Sequence, residues 1–231
     1  MKNYAFFFLF IGILLPWNYV AAQDCDIYKD FSEGTTTRMV HYDKKDKVTG
    51  YTITTVTEKK KLSNGVSMLF HQVYDDTEEY KFESDMRIEC RGGEVIYSME
   101  NFIDPTTLSA YEGMEFEISA DDLSIPSNAK PGDELNDGAV SITINTGSPV
   151  KVTVTSTISN RKVVSKESVE TPAGKFDCLK ISYDVLTQIA FVKMRSSTVE
   201  FYNEKSGVVK TESFNKKGKL TGYSLLEEIK K

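Results

Sequence analysis

The sequence predicts a mainly β protein built on an antiparallel sheet, with one or two short covering helices. Segments rich in Thr, Val, Ile, Tyr and Phe follow one another along the chain, and these residue types favour strands. Residues that reverse the chain separate the segments at short intervals, which is typical of strands joined by hairpins. In several segments apolar and polar residues alternate, so we expect one face of the sheet to pack and the other to meet water.

Thirteen segments are predicted as strands, and the alternation of their residues is the main signal. Val140, Ile142 and Ile144, for example, alternate with polar residues, which places the three apolar side chains on one face. Turn-forming pairs such as Gly92-Gly93 end the segments. The predicted strands cover residues 35–42, 50–58, 65–75, 79–91, 94–100, 114–119, 139–145, 150–158, 161–170, 176–188, 191–203, 207–214 and 219–229.

One short helix is predicted over residues 104–113. Asp104 can cap the free N–H groups at its start, Pro105 suits the first helical position, and Gly113 suits the left-handed residue that ends a helix. We expect this helix to lie across a sheet or the mouth of a barrel. Residues 120–138 are expected to form an ordered crossing loop with a tight turn.

Two Lys-rich stretches, residues 42–51 and 214–223, have similar sequences. Both have an aromatic residue followed by Asp or Asn at the start, lysines in the middle, and Thr-Gly-Tyr at the end. We interpret both as hairpin turns. Because their flanks do not align, similar turn chemistry is a simpler explanation than a duplication.

The first 22 residues have the three parts of a cleaved secretory signal peptide. Lys2 gives a positive start, residues 5–17 form an apolar run, and Val20-Ala21-Ala22 presents small residues to the signal peptidase. The run is shorter than the roughly 18–20 residues that span a bilayer, so a transmembrane anchor is the weaker interpretation. A lipid anchor on Cys25 is disfavoured because Gln23-Asp24 precedes it.

We therefore expect residues 1–22 to be removed and residues 23–231 to form a single β-rich domain without a transmembrane segment. The protein would be exported, and both the periplasm and the extracellular space stay open. Its net charge is −6, and its basic residues cluster only in short Lys-rich turns. This argues against a nucleic-acid surface or an anionic membrane surface, which need a concentrated positive field. We expect neutral or apolar partners.

Three cysteines, Cys25, Cys90 and Cys178, would enter an oxidising compartment, so we expect one disulfide and one remaining thiol. Alternation places Cys90 on the core-facing side of its segment and Cys178 on the polar side. A bond between Cys90 and Cys178 is therefore not the obvious one. Cys25 could reach either partner, and the pairing stays open.

Several short motifs extend over most of the chain. Each is common by itself, but the set as a whole is distinctive of one protein family. Through them the chain resembles exported bacterial proteins related to domain of unknown function 3108. The resemblance implies an exported β-rich protein similar in architecture to the half-open β-barrels of lipoprotein carriers, and it implies no reaction. The motifs are Glu33-Gly34 after Cys25, Ile88-Glu89-Cys90-Arg91-Gly92-Gly93, Leu123-Ser124-Ile125-Pro126, Gly132-Asp133-Glu134-Leu135, Asn160-Arg161-Lys162-Val163, Thr171-Pro172-Ala173-Gly174-Lys175-Phe176-Asp177-Cys178 and Gly207-Val208-Val209-Lys210-Thr211-Glu212.

The sequence offers no catalytic constellation, so we predict a protein that is not an enzyme and that needs no cofactor or metal. His41 and His71 are the only histidines, and both fall in predicted strands, where a structural role is favoured. Nucleophile turns, phosphate-binding loops and closely spaced His or Cys ligands do not occur in the sequence. The carboxylates around Asp133 and Asp137 could bind calcium, but their spacing differs from that of an EF-hand, and a solvated acidic loop is the simpler interpretation.

Two functions remain, and they differ in whether the sheet encloses a small molecule. In the first, the protein binds a lipid or another apolar molecule in the cell envelope, inside the curved sheet and under the predicted helix. In the second, it is a structural or interaction protein of the envelope, with a filled core and a protein partner. The candidate ligand-contacting residues flank or belong to the predicted helix: Tyr97, Phe102, Leu108, Tyr111 and Phe116.

Overall fold

The computed structural model describes residues 28–76, 81–102, 115–145 and 152–231. These residues form thirteen strands and one short 3₁₀ helix, Met99–Phe102. The predicted signal peptide and the predicted helix over 104–113 lie outside the described residues. The strands are β1 (Thr36–Asp43), β2 (Val48–Leu62), β3 (Gly65–Asp76), β4 (Lys81–Arg91), β5 (Glu94–Tyr97), β6 (Glu115–Asp121), β7 (Leu123–Pro126), β8 (Gly138–Asn145), β9 (Val152–Thr171), β10 (Gly174–Ile189), β11 (Val192–Asn203), β12 (Gly207–Asn215) and β13 (Leu220–Lys230).

All of these strands belong to one antiparallel sheet, which curls into a nearly closed barrel with a single seam. Around the sheet the strand order is β6-β8-β9-β10-β11-β12-β13-β1-β2-β3-β4-β5-β7. The seam lies between β6 and β7, which are consecutive in the chain but stand at the two ends of this order. The prediction of a mainly β, barrel-like antiparallel fold is therefore confirmed.

Three strands differ from the prediction, and one of them is β5, which ends at Tyr97 and not at residue 100 because Met99–Phe102 forms a 3₁₀ helix. β9 is one strand of 20 residues, whereas the sequence predicts two strands separated near Asn160. Asn160 has a left-handed backbone, with φ of 56°, and the pairing with β10 shifts its register there, so the break in the pattern is a β-bulge within a continuous strand. β7 lies in the segment predicted as a loop. It has only four residues, ends at Pro126 and pairs with β5 alone, so its sequence signal is weak.

The hydrophobic core has two parts. The larger cluster lies inside the barrel and includes Val56, Met68, Ile88 and Tyr97. A smaller cluster includes Cys178 and Phe201 on the opposite face of β10 and β11, and its other buried members are Val169, Val209 and Leu226. These strands are therefore covered on both faces.

The two described cysteines lie in different parts of the hydrophobic core. Cys90 is buried in the larger cluster and is disulfide-bonded, whereas Cys178 is a free thiol buried in the smaller one. Cys178 does lie on the face of β10 opposite to Leu179, but that face is not polar, because the second cluster covers it. Burial also raises the pKa of the Cys178 thiol to about 11, which keeps it protonated at neutral pH. Cys25 lies outside the described residues.

Candidate functional site

A cavity of about 270 Å³ lies inside the barrel and is the candidate functional site. Its wall is mainly apolar, and strands from both sides of the barrel contribute to it. The apolar lining residues are Tyr28, Phe31, Met39, Phe70, Met86, Tyr97, Leu123, Ile125, Ile158, Val208 and Leu226. An enclosed apolar wall with a few polar groups is the usual composition of a small-molecule site.

A turn before β1 supplies two of the aromatic lining residues. The Phe31 N–H donates to the Tyr28 carbonyl at 2.9 Å, and the Tyr28 ring lies 5.0 Å from the Phe31 ring and 5.2 Å from the Phe70 ring. Tyr28 also contacts the turn between β11 and β12, where a Cβ on Gly207 would lie 2.2 Å from the Tyr28 hydroxyl. Gly207, with φ of 75°, therefore permits both the turn and the position of Tyr28.

Arg161 brings a buried positive charge to the cavity wall. The bulge at Asn160 places two residues of β9 opposite one residue of β10, which turns the Arg161 side chain inward. Arg161 is only 4% exposed. Its Nη1 donates to the Ser124 carbonyl at 3.0 Å, to the Asn136 carbonyl at 2.8 Å and to Asn136 Oδ1 at 3.1 Å. These bonds fix the guanidinium, yet its buried Nε–H has no hydrogen-bond partner among the described residues.

Glu200 and Tyr183 lie on the same wall, on β11 and β10. The Tyr183 hydroxyl donates to Glu200 Oε1 at 2.5 Å. Burial raises the pKa of Glu200, and both the Tyr183 hydrogen bond and the positive charge of Arg161 act in the opposite direction. Burial likewise lowers the pKa of Arg161, against the charge of Glu200. The charges of Arg161 and Glu200 thus influence each other's pKa across the cavity wall.

Three tyrosine hydroxyls complete the polar part of the site. Burial raises the pKa values of Tyr28, Tyr97 and Tyr202, so all three stay protonated. The hydroxyls are close enough to affect one another's pKa. The Tyr97 hydroxyl is nevertheless buried without a hydrogen bond of acceptable geometry among the described residues. The site thus presents one buried donor without a partner among the described residues, Arg161 Nε, and one hydroxyl, Tyr97 Oη, that has only poorly formed contacts with the Tyr28 and Tyr202 hydroxyls.

The structure places one of the five candidate residues from the sequence on the cavity wall, namely Tyr97. Leu108 and Tyr111 lie outside the described residues. Phe102 ends the 3₁₀ helix and Phe116 pairs with Ile144 in the sheet, and for these two only the backbone is described. Sequence reasoning missed Arg161, Tyr183 and Glu200. The interrupted strand pattern at Asn160 was the available signal, because a bulge often re-aims the neighbouring side chain.

The histidines have structural partners. His41 Nδ1 lies 2.7 Å from Ser224 Oγ and its Nε2 lies 2.7 Å from Thr52 Oγ1, so the ring bridges β13 and β2. His71 Nδ1 lies 3.0 Å from an oxygen of Asp85 on the neighbouring strand. In the described part of the chain, His, Cys, Asp and Glu do not group in a way that could hold a metal ion.

The acidic loop contains a locally bonded carboxylate. Asp133 Oδ2 accepts the Lys130 N–H at 2.9 Å, which is ordinary turn chemistry. Within the ranges that the structure describes, no helix is long and apolar enough to cross a membrane.

The fold and the cavity define a class of β-barrel proteins with a partly apolar lumen. The profile of the DUF3108-like family matches residues 32–226, and the chain belongs to this family. A presumed exported protein with a YmcC-like fold from Bacteroides fragilis is 24% identical and aligns with a TM-score of 0.69, over 87% of this chain and 97% of its own. A presumed lipoprotein from Parabacteroides distasonis is 25% identical, with a TM-score of 0.71 over 90% of this chain and 100% of its own. No curated protein matches the sequence.

Proposed function

We propose that this protein is a non-catalytic binding protein of the bacterial cell envelope, and that it holds a single-chain amphiphile inside its barrel. The observation that carries the proposal is Arg161 Nε, a buried donor without a partner among the described residues, on the wall of an apolar cavity. A buried polar group without a partner costs about 1–3 kcal/mol, and a bound head group would recover that cost.

The size of the cavity favours a ligand with a single alkyl or acyl chain. Its volume of about 270 Å³ lies near the lower end of the roughly 300–1,000 Å³ found for pockets that enclose drug-sized ligands. A lipid with two acyl chains would not fit without opening the barrel. The apolar wall, which includes Phe70, Met86 and Ile158, suits an alkyl or acyl chain.

The polar groups favour a head group that accepts hydrogen bonds. Arg161 Nε is a donor only, and Tyr97 Oη can donate as well. The raised pKa of Glu200 reduces the negative charge that would oppose an acidic ligand. A carboxylate fits these properties, because a guanidinium and a hydroxyl both bind it through charge-assisted or strong hydrogen bonds.

The predicted signal peptide and the two solved relatives support a location in the envelope. One relative is presumed to be exported and the other is presumed to be a lipoprotein. Both align over nearly their whole length. We assign the same compartment to this chain.

Native mass spectrometry with solvent extraction, on protein purified from its own envelope fraction, tests the proposal. We expect a bound mass in the range of a single-chain lipid. In a second step, dodecanoate and dodecyltrimethylammonium are titrated into the delipidated protein, since their alkyl tails differ by one carbon and their head groups have opposite charge. Dodecanoate should bind at least tenfold more tightly. A clean apo mass together with no dodecanoate binding would overturn the proposal and favour an interaction protein without a small ligand.

A matched pair of variants locates the binding site. Thr54 lines the cavity, whereas Thr57 lies on the same strand and is exposed. Thr54→Phe should fill the cavity and weaken dodecanoate binding at least tenfold, and Thr57→Phe should leave it unchanged. Equal affinities in two folded variants would show that the ligand binds elsewhere.

A further inference from the structure

The two similar Lys-rich turns come together in the fold. β1 and β13 are paired neighbours, with Asp43 opposite Gly222, so the turn between β1 and β2 and the turn between β12 and β13 lie side by side at one end of the barrel. We call them the twin turns. They contain six exposed lysines: Lys44, Lys45, Lys47, Lys216, Lys217 and Lys219.

The twin turns have the same internal hydrogen bonds. Asp43 Oδ1 accepts the N–H groups of Lys45 at 2.7 Å and Lys47 at 3.0 Å. Asn215 Oδ1 accepts those of Lys217 at 2.9 Å and Lys219 at 3.2 Å. The turns are also joined to each other, since the Tyr42 and Tyr223 rings stack at 4.9 Å and the Tyr223 hydroxyl donates to Asp46 at 2.9 Å. The lysines are therefore held on a fixed frame.

An apolar tip stands next to the twin turns at the same end. β11 pairs with β12 only as far as Ser196, opposite Asn215, so the hairpin of β10 and β11 extends four residues further, or about 13 Å. Phe191 at its turn is fully exposed, and Val192 and Met194 are 61% and 51% exposed. Ile189 pairs with Val192, which extends the apolar surface onto β10. Exposed apolar patches of this kind mark interaction sites.

The charges around the tip are mostly positive. Lys193 and Arg195 lie on the opposite face of β11 from Val192 and Met194. Together with the twin turns, this end carries eight exposed basic residues, against the carboxylates of Asp43 and Asp46 in the first turn and of Glu115 at the start of β6. The acidic residues Asp75 and Asp76 end β3, on the far side of the twin turns from the tip. The basic field is thus concentrated beside the apolar tip, although the whole chain has a net charge of −6.

We propose that this end docks on the surface of an anionic lipid bilayer. The apolar tip would enter the interface between head groups and acyl chains, and the lysines would bind the anionic head groups. This revises the expectation that the protein avoids anionic membranes, because the fold gathers turns that are far apart in the sequence. The partner is a membrane rather than an added strand, since Lys193 and Arg195 lie along the free edge of β11 and charged edges oppose strand pairing.

The test is co-sedimentation of the mature protein with vesicles of phosphatidylcholine alone or with 30% phosphatidylglycerol. We expect binding to the anionic vesicles that falls steeply with added salt, because charge attraction is screened over about 8–10 Å. Phe191→Asp should reduce this binding at least tenfold, and Val164→Asp, at an exposed apolar site on β9, should not change it. The double variant Lys216→Gln, Lys217→Gln should reduce binding to the anionic vesicles roughly tenfold. The matched control is the double variant Lys175→Gln, Lys205→Gln, which replaces two exposed lysines at the opposite end of the barrel.

Three results would overturn the proposal. They are no binding to either vesicle, binding that the lysine variants leave unchanged, and a dimer in light scattering that Phe191→Asp dissociates while vesicle binding stays absent. The last result would show that the tip binds a second copy of the chain. Vesicle binding and dodecanoate binding are measured separately, so failure of one leaves the other unaffected.

Discussion

The two sides of the barrel interior differ in how they are filled. On the side of β2, β3 and β4, Val56, Met68 and Ile88 are almost fully buried and pack against one another. Both sides also line the cavity, but the first contributes uncharged residues such as Phe70 and Met86, whereas the side of β9, β10 and β11 contributes Arg161, Tyr183 and Glu200. The first side is built as a core, whereas the second places charged groups where a core would place apolar ones.

This difference separates stability from function. Close packing of apolar side chains stabilises the fold, while buried polar groups without full hydrogen bonding cost free energy. Such groups are rare in native proteins, and each one calls for a specific explanation. The comparison therefore predicts that substitutions on the two sides will have different, and in one case opposite, effects on stability.

The largest expected effect is on the packed side. Met68→Ala should lower the free energy of unfolding by about 2–5 kcal/mol, because Met68 is 2% exposed and its removal leaves a void. Met86→Ala on the neighbouring strand is the matched control. Met86 lines the cavity, so part of its surface already lacks neighbours and its loss should cost about 1 kcal/mol. Urea unfolding of both variants measures the contrast, and equal losses would show that Met86 at the cavity is packed as closely as Met68 in the core.

The sequence predicted the packed side better than the cavity side, for a physical reason. Along β3 and β4 one face is buried and the other is not, so alternation identifies the core residues. Along β11 the residues next to Glu200 are Val199 and Phe201, which suggests that Glu200 faces outward. The structure shows the reverse, because the turn between β9 and β10 covers the outer face, where Ala173 donates its N–H to the Leu226 carbonyl at 3.3 Å. A strand that is covered on both faces shows no alternation of apolar and polar residues, so its sequence does not indicate which side chains point into the barrel.

Arg161→Met is expected to have the next largest effect. It removes the bonds that Nη1 donates to the Ser124 and Asn136 carbonyls and to Asn136 Oδ1, and among the described residues only the last of these acceptors keeps other donors, the N–H and hydroxyl of Ser124. We expect a loss of about 2 kcal/mol in the free energy of unfolding, reduced from the full cost because a buried charge is also removed. Arg161→Lys should be intermediate, since an ammonium keeps the charge but cannot donate in the same fork geometry. Urea unfolding measures these losses. If Arg161→Met were as stable as the wild type, the hydrogen bonds of the guanidinium would not stabilise the fold.

Glu200→Gln should change the pH dependence of stability. Because the folded protein raises the pKa of Glu200 above the ordinary value of 4.5, the folded state binds the proton more tightly than the unfolded state. The stability that Glu200 contributes is thus complete below pH 4.5 and is lost as the pH rises through the folded pKa. The Gln variant lacks this loss of stability, so the difference in Tm between the variant and the wild type should rise with pH by about 2–4 °C. For a chain of this size, this difference in Tm corresponds to about 1 kcal/mol in the free energy of unfolding.

The control for this pH effect is Glu204→Gln, at an exposed position just after the same strand. Its Tm should stay parallel to that of the wild type from pH 4 to pH 8. If the curve of Glu200→Gln were parallel as well, burial would not be perturbing Glu200.

Tyr97→Phe should have the smallest effect on stability, and its sign is the informative part. The Tyr97 hydroxyl has only poorly formed contacts with the Tyr28 and Tyr202 hydroxyls, so its removal should leave the unliganded protein unchanged or more stable by up to about 1 kcal/mol. Tyr183→Phe removes a hydroxyl that donates to Glu200 and should cost about 1–2 kcal/mol instead. The same Tyr97→Phe variant should bind dodecanoate about five- to tenfold more weakly. A gain in stability with a loss of affinity is the signature of a polar group kept for a ligand, whereas a loss of both would mean that Tyr97 acts through the fold alone.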